Sequence, residues 1–171
     1  MRHCAVLAAT ASVAAAFSLV AVPAHADNPV PAAGAPCLSA FANAMTQLPG
    51  GRDFLVCQAD QDRPGRWAPV DTPFDPADTW LSYGPAITLH GQGFRNPNLR
   101  SGQWTAKPLA PDTVCGADQV TVVSAGVLAP LVHSEGPPGE QLQLEVLPKL
   151  FTITLSGDCL WTEDQPPGVG W

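Results

Sequence analysis

Over residues 140–156, EQLQLEVLPKLFTITLS, apolar and polar side chains take turns along the chain. Leu142, Leu144 and Val146 point one way, and Gln141, Gln143 and Glu145 the other. Phe151, Ile153 and Leu155 oppose Thr152 and Thr154 in the same manner. A period of two belongs to extended strands, so each segment has one buried and one wetted face. Such strands form antiparallel sheets covered on one side. Pro148-Lys149 between them suits the centre of a tight turn, because proline presets its φ.

Further strands are expected in DFLVCQA (53–59), TWLSYG and AITLHG on either side of Gly84-Pro85, QWTAKPL (103–109) and QVTVVSAGV (119–127). The last is dense in β-branched residues and flanked by turn formers. In GVLAPLVH, Pro130 confines a strand to an edge or a bulge. Nineteen prolines and fifteen glycines supply many turns and argue against a helical bundle. One segment reads differently: in CLSAFANAMTQLPGG, Leu38, Phe41, Ala42, Met45 and Leu48 recur at helical spacing before Pro49-Gly50-Gly51 ends the run. Residues 60–78, DQDRPGRWAPVDTPFDPAD, are rich in Pro and Asp and read as a long surface loop. The fold class is therefore mainly β, an antiparallel β-sandwich or small barrel with one short N-terminal helix.

The first 26 residues stand apart. Arg2 and His3 precede an apolar run from about Ala5 to Val22, and Ala24-His25-Ala26 has the small-x-small form that a signal peptidase reads. Cleavage between Ala26 and Asp27 would remove Cys4 and leave no transmembrane anchor. Residues 27–36, DNPVPAAGAP, then form a flexible lead-in to a single β-rich domain at 37–163, with a loose tail at 164–171. The location implied is secreted, or in the cell envelope outside the cytoplasmic membrane.

Four cysteines remain: Cys37, Cys57, Cys115 and Cys159. An even number in an exported chain implies two disulfides. Three pairings are open and spacing alone does not choose among them. The pairing Cys37–Cys57 with Cys115–Cys159 is preferred because each bridge then joins neighbouring or terminal elements of one half. No C-x-x-C pair exists to suggest zinc instead.

Eight Lys and Arg face fifteen Asp and Glu, a net charge of −7 that becomes −8 when Arg2 leaves with the leader. An acid surplus without a basic cluster opposes nucleic-acid binding. Residues 86–95, AITLHGQGFR, resemble the start of a hydrolase oxyanion loop, but no G-x-S-x-G nucleophile turn accompanies them. The expected role of Gly91 and Gly93 is instead positive φ where the strand turns outward.

Asp60, Asp62, Gly65 and Asp71 overlay positions 1, 3, 6 and 12 of a calcium loop, with Pro64 at a ligand position and Arg63 and Arg66 adding positive charge. A solvated acidic loop is the preferred reading and calcium the weak alternative; no metal and no cofactor are expected. Of five tryptophans, Trp80, Trp104 and Trp161 adjoin strands and belong to a core, while Trp67 and Trp171 are the candidates for exposed ligand contacts such as stacking on a sugar. His90 and His133, at strand ends, are expected to be solvent-exposed.

The stretches LHGQGFRNPNLRSGQW, CGADQVTVVSAGV and LFTITLSGDCLW, with the alanine-rich leader ending AHAD, carry one resemblance. Residues from about Pro73 to Trp161 resemble small exported proteins of mycobacteria and related actinobacteria. That resemblance implies export and lends no catalytic residue. The function expected is a non-enzymatic binding or interaction module with an envelope protein, lipid or glycan as partner. The alternative is a small secreted hydrolase using carboxylates that the sequence does not single out.

Overall fold

The computed structural model describes residues 29–60, 63–84 and 86–164. The expected leader and cleavage site, and Trp171, lie outside them. Among the described residues, thirteen strands make two sheets. The larger holds β1 (Pro36–Cys37), β2 (Met45–Gln47), β3 (Phe54–Asp60), β4 (Arg63–Val70), β5 (Thr79–Ser82), β7 (Gly102–Pro108), β11 (Leu142–Val146) and β13 (Cys159–Glu163), in the order β1-β4-β3-β2-β5-β13-β7-β11. The smaller holds β6 (Ile87–His90), β8 (Gly116–Ser124), β10 (Val132–Glu135) and β12 (Leu150–Ser156), in the order β10-β8-β12-β6, with β9 (Val127–Leu128) also paired to β8. Every pairing is antiparallel except the short contact of β2 with β5. The chain is a mainly β sandwich with two disulfides.

The sheets face each other across one apolar core. Trp80, Trp104 and Trp161 of the larger sheet are at most 1% exposed and pack with Ile87, Leu89, Leu150, Ile153 and Leu155 of the smaller. Trp161 lies directly across from Trp80 on one side and Ala106 on the other. Its indole N–H donates to Ser82 Oγ (2.8 Å), and that of Trp104 donates to the Arg100 carbonyl (3.1 Å). Two buried glutamines join the sheets by imitating a strand edge. The Gln47 amide, on the larger sheet, donates to Thr88 O (2.8 Å) and accepts from Thr88 N (2.9 Å). Gln119, on the smaller sheet, donates to Glu145 O (3.0 Å) and accepts from Leu147 N (2.9 Å). Each amide thus satisfies two main-chain groups that burial would otherwise leave costly.

The alternating segments at 142–146 and 150–156 are strands, but they lie in different sheets: the turn at Pro148-Lys149 crosses the sandwich, with Lys149 at φ 56°. The register slips between Leu150 and Thr152, so Leu150 rather than Phe151 fills the core. A β-bulge moves one residue off the alternation.

The expected N-terminal helix is absent. Residues Ser39–Phe41 make one 3-10 turn, Asn43 adopts φ 65°, and Met45–Gln47 are strand. The slot this segment fills lies between β3 and β5 and is one strand wide. Strands sit about 4.8 Å apart, whereas a helix with its side chains needs about 10 Å. Ala44 to Gln47 are consequently all buried, and Leu38, first in the helical stripe, is 65% exposed.

The expected long loop is also corrected. Arg63–Val70 is strand β4, in a hairpin with β3 that pairs Phe54 with Val70 and Cys57 with Trp67. On β3, Phe54 and Val56 serve the inter-sheet core while Leu55 and Cys57 serve a second cluster on the opposite face, with Trp67, Leu81 and Ala44. The uninterrupted apolar run FLVC reflects burial on both faces.

Cys37 is bonded to Cys57 and Cys115 to Cys159, the pairing preferred among the three. The first closes 20 residues within the larger sheet; the second closes 44 and ties the start of β8 to the start of β13, one in each sheet. A chain-entropy estimate gives about 3 kcal/mol for the shorter loop and about 4 kcal/mol for the longer. Replacing both cysteines of one bridge by alanine is expected to lower the free energy of unfolding in that order, the Cys115/Cys159 variant losing more, as read from urea denaturation.

Candidate functional site

The second cluster opens into a groove of about 490 Å³ on the outer face of the larger sheet. Its wall is the lead-in segment, folded back and fixed at several points. Gly34 N donates to Trp67 O (2.8 Å), Trp67 N donates to Ala35 O (2.9 Å), and the Arg66 guanidinium reaches Gly34 O (2.8 Å). Strand β1 then pairs with Gly65 and Arg66, and the Cys37–Cys57 bond anchors it. Gly65 makes this docking sterically feasible, since a Cβ there would lie 2.7 Å from Cys37 Sγ and 2.9 Å from Ala59 Cβ. Residues 29–38, expected to be a flexible lead-in up to Pro36, are therefore a structural wall.

Val30, Phe41, Trp67, Leu81 and Leu109 give the groove its apolar character. Two hydroxyls also line it, and both are engaged within the protein. Ser82 Oγ lies 2.6 Å from Gly157 O as its donor and receives the Trp161 indole N–H. Tyr83 OH donates to Gln47 O (2.6 Å), and burial raises the pKa of the phenol above its usual 10.0, keeping it neutral. No carboxylate and no imidazole is among the lining residues. The volume is within the range of small-ligand sites, and the chemistry offered is hydrophobic burial.

Trp67 does not stand exposed as the sequence suggested: it is 5% exposed and forms part of the groove wall. Asp60 ends β3, Asp71 follows β4 and Asp62 is outside the described residues. At about 3.3 Å per residue, strand β4 carries Asp71 roughly 25 Å from the hairpin end, so the twelve residues do not wrap a single ion. Among the described residues no group of three metal-binding side chains gathers elsewhere.

The His-Gly-x-Gly stretch is a turn, with Phe94 N donating to Gly91 O (3.0 Å) and Asn98 closing the loop onto both main-chain groups of His90. Neither glycine has positive φ, contrary to expectation. They are needed for clearance instead. A Cβ on Gly91 would strike the Leu150 side chain, 2.6 Å from Cδ2, and one on Gly93 would lie 2.8 Å from the Leu150 carbonyl oxygen. His90 is half-buried rather than exposed; its ring stacks on Phe94 with centroids 4.1 Å apart, and its Nδ1 has no hydrogen-bond partner among the described residues. Among the described residues, no serine or acid is hydrogen-bonded to the ring.

His133 is exposed, as expected, but not alone. Its Nδ1 lies 2.6 Å from Asp118 Oδ1 across the β8–β10 pair, and its Nε2 is 3.7 Å from Glu135. The hydrogen bond to Asp118, aided by the charges of Asp118 and Glu135 and opposed by desolvation, raises the imidazole pKa above its usual 6.5.

Trp67, a candidate ligand contact in the sequence, lines the groove; the other groove residues escaped sequence reading because they come from separated segments. The signal that could have found them is the FLVC run, whose lack of alternation marks a strand without a wet face. No helix of the described residues is long and apolar enough to cross a membrane.

Gly91→Ala and Gly93→Ala are expected to lower the unfolding free energy by about 1–3 kcal/mol each, an overpacking cost measurable by thermal melting. For His133, a raised folded pKa means its pairing stabilises the fold fully below the unfolded pKa and fades as pH rises through the folded one. NMR titration of the ring should give a midpoint above 6.5, and Asp118→Asn should bring it down. In comparisons with known proteins, no family model, no curated protein and no solved structure matches this chain.

Proposed function

We propose that the protein is an exported, non-catalytic binding module whose outer groove takes an apolar ligand of the acyl-chain or fused-hydrocarbon class. The observation carrying this reading is that both hydroxyls in the groove already spend their hydrogen bonds on the protein. A glycan or a peptide entering there would lose its water and find no free side-chain donor, a cost on the order of 1–3 kcal/mol per group left unsatisfied. A hydrocarbon loses nothing comparable and gains burial at about 25 cal/mol per Å². Two disulfides and the acidic surface are compatible with work outside the cytoplasm. Lipid thus becomes the favoured partner among the classes that the sequence left open.

At about 0.3 kcal/mol per non-hydrogen atom, a fatty acid of about 18 such atoms binds with a Kd on the order of 0.1 mM or tighter. Titration with a fluorescent polyene fatty acid tests this. Ala32→Trp, which fills the groove from its exposed wall, is expected to weaken binding tenfold or more while leaving the melting temperature unchanged. Equal binding by the native and filled chains would refute the assignment.

A further inference from the structure

Residues 119–132, QVTVVSAGVLAPLV, carry no charge in a chain of net charge −7. They form the end of β8, the whole of β9 and the start of β10. Five of their large apolar side chains are strongly exposed: Val123 (62%), Val127 (50%), Leu128 (47%), Leu131 (57%) and Val132 (46%). Single exposed apolar residues are ordinary, but a contiguous group marks a contact surface.

The pairing decides which contact. Val132 stands opposite Gln119, whose side chain is buried between the sheets, whereas Leu128 stands opposite Val122. Positions 119 and 122 differ by an odd number, so they face opposite sides of the pleat. The hairpin is therefore apolar on both faces. A protein partner laid against a sheet covers one face. A lipid interface surrounds both.

The backbone is ready for such surroundings, because β8 and β9 pair with one another, Ala129 N donates to Thr121 O and Val122 N donates to Lys149 O (2.9 Å each). Charge begins again at Asp118 and His133, which are bonded to each other at one level across the two strands. A second copy adding its own strand is disfavoured, since Pro130 interrupts the edge and the register shifts between Val122 and Ser124.

From this distribution we infer that the β8–β9–β10 hairpin inserts into the interfacial region of a lipid bilayer, and that the bilayer is zwitterionic, because the acidic body is repelled by anionic lipid. The inference does not depend on the groove's ligand.

The test places the readout at the tip, because the apolar run from Ala5 to Val22 could hold the full chain on vesicles by itself. Leu128→Trp in the full chain is mixed with phosphatidylcholine vesicles, with and without brominated acyl chains, and its emission is taken as the difference from the native chain. The expected result is a blue shift and quenching by the brominated lipid, weaker when phosphatidylglycerol is added. Adding Val123→Asp and Leu131→Asp should reduce tip insertion about tenfold or more and return the emission to the red. Val123→Ser with Leu131→Ser, a milder change, should give a partial loss. A chain whose groove is filled should insert unchanged, which separates this result from the groove reading. A tip tryptophan that stays unquenched on vesicle-bound chains would overturn the inference. So would quenching that survives both aspartates, or a blue shift that needs no vesicles and grows with protein concentration, which would identify a second copy as the occupant.

Discussion

Half of the larger sheet has no wetted face, and the rest of the structure follows from that constraint. On its inner side, Phe54, Trp80 and Trp161 meet the smaller sheet. On its outer side, Leu55, Cys57, Trp67 and Leu81 form a second apolar layer that solvent cannot be left to cover. The chain answers with its own N-terminal segment, which crosses that layer and is bonded to β4 and to Cys57. The cover is narrower than the surface beneath it, and the difference is the groove.

Burial on two sides places unusual demands on polar groups. The sandwich satisfies them locally: Gln47 and Gln119 each occupy a pair of main-chain sites in the opposing sheet, Thr46 donates to Leu81 O (2.8 Å), and Ser82 serves as acceptor for Trp161. The Trp80 indole N–H, wedged beside Phe54 and Phe74, has no partner among the described residues. Such networks specify one register for the two sheets, since a slip of one residue would orphan several donors at once. The same economy leaves the groove with no free hydroxyl donor, and its lining is mostly apolar.

The groove and the uncharged hairpin make a consistent pair of properties. One offers an apolar slot of small-ligand size; the other offers aliphatic side chains on two faces at a position where charge has been withdrawn. Both underlie the proposals of a lipid partner, by different physical routes. The remainder of the chain is acidic. His133, held by Asp118 at the foot of the hairpin, lies where the polar surface resumes.

Period-two patterning in residues 142–146 and 150–156, the density of β-branched residues in 119–123 and the count of turn formers were enough to specify a β protein, because side-chain alternation is a local property of an extended chain. The burial of Trp80, Trp104 and Trp161 was legible for the same reason. Residues 38–48 were misread because their helical spacing is a one-dimensional coincidence; a slot of single-strand width overrode it. Residues 63–70 were misread because Pro64 and Pro69 sit in a strand that burial and a disulfide-tethered edge hold extended. The roles of Gly91 and Gly93 depend on Leu150, some sixty residues away, and no local signal carries that distance. The sequence by itself thus determined the class of fold, its acidity and its capacity for two bridges. Tertiary structure alone decided that one sheet would be buried twice, which strands would share it and where the uncovered apolar surface would fall, because those outcomes are set by contacts between segments remote along the chain.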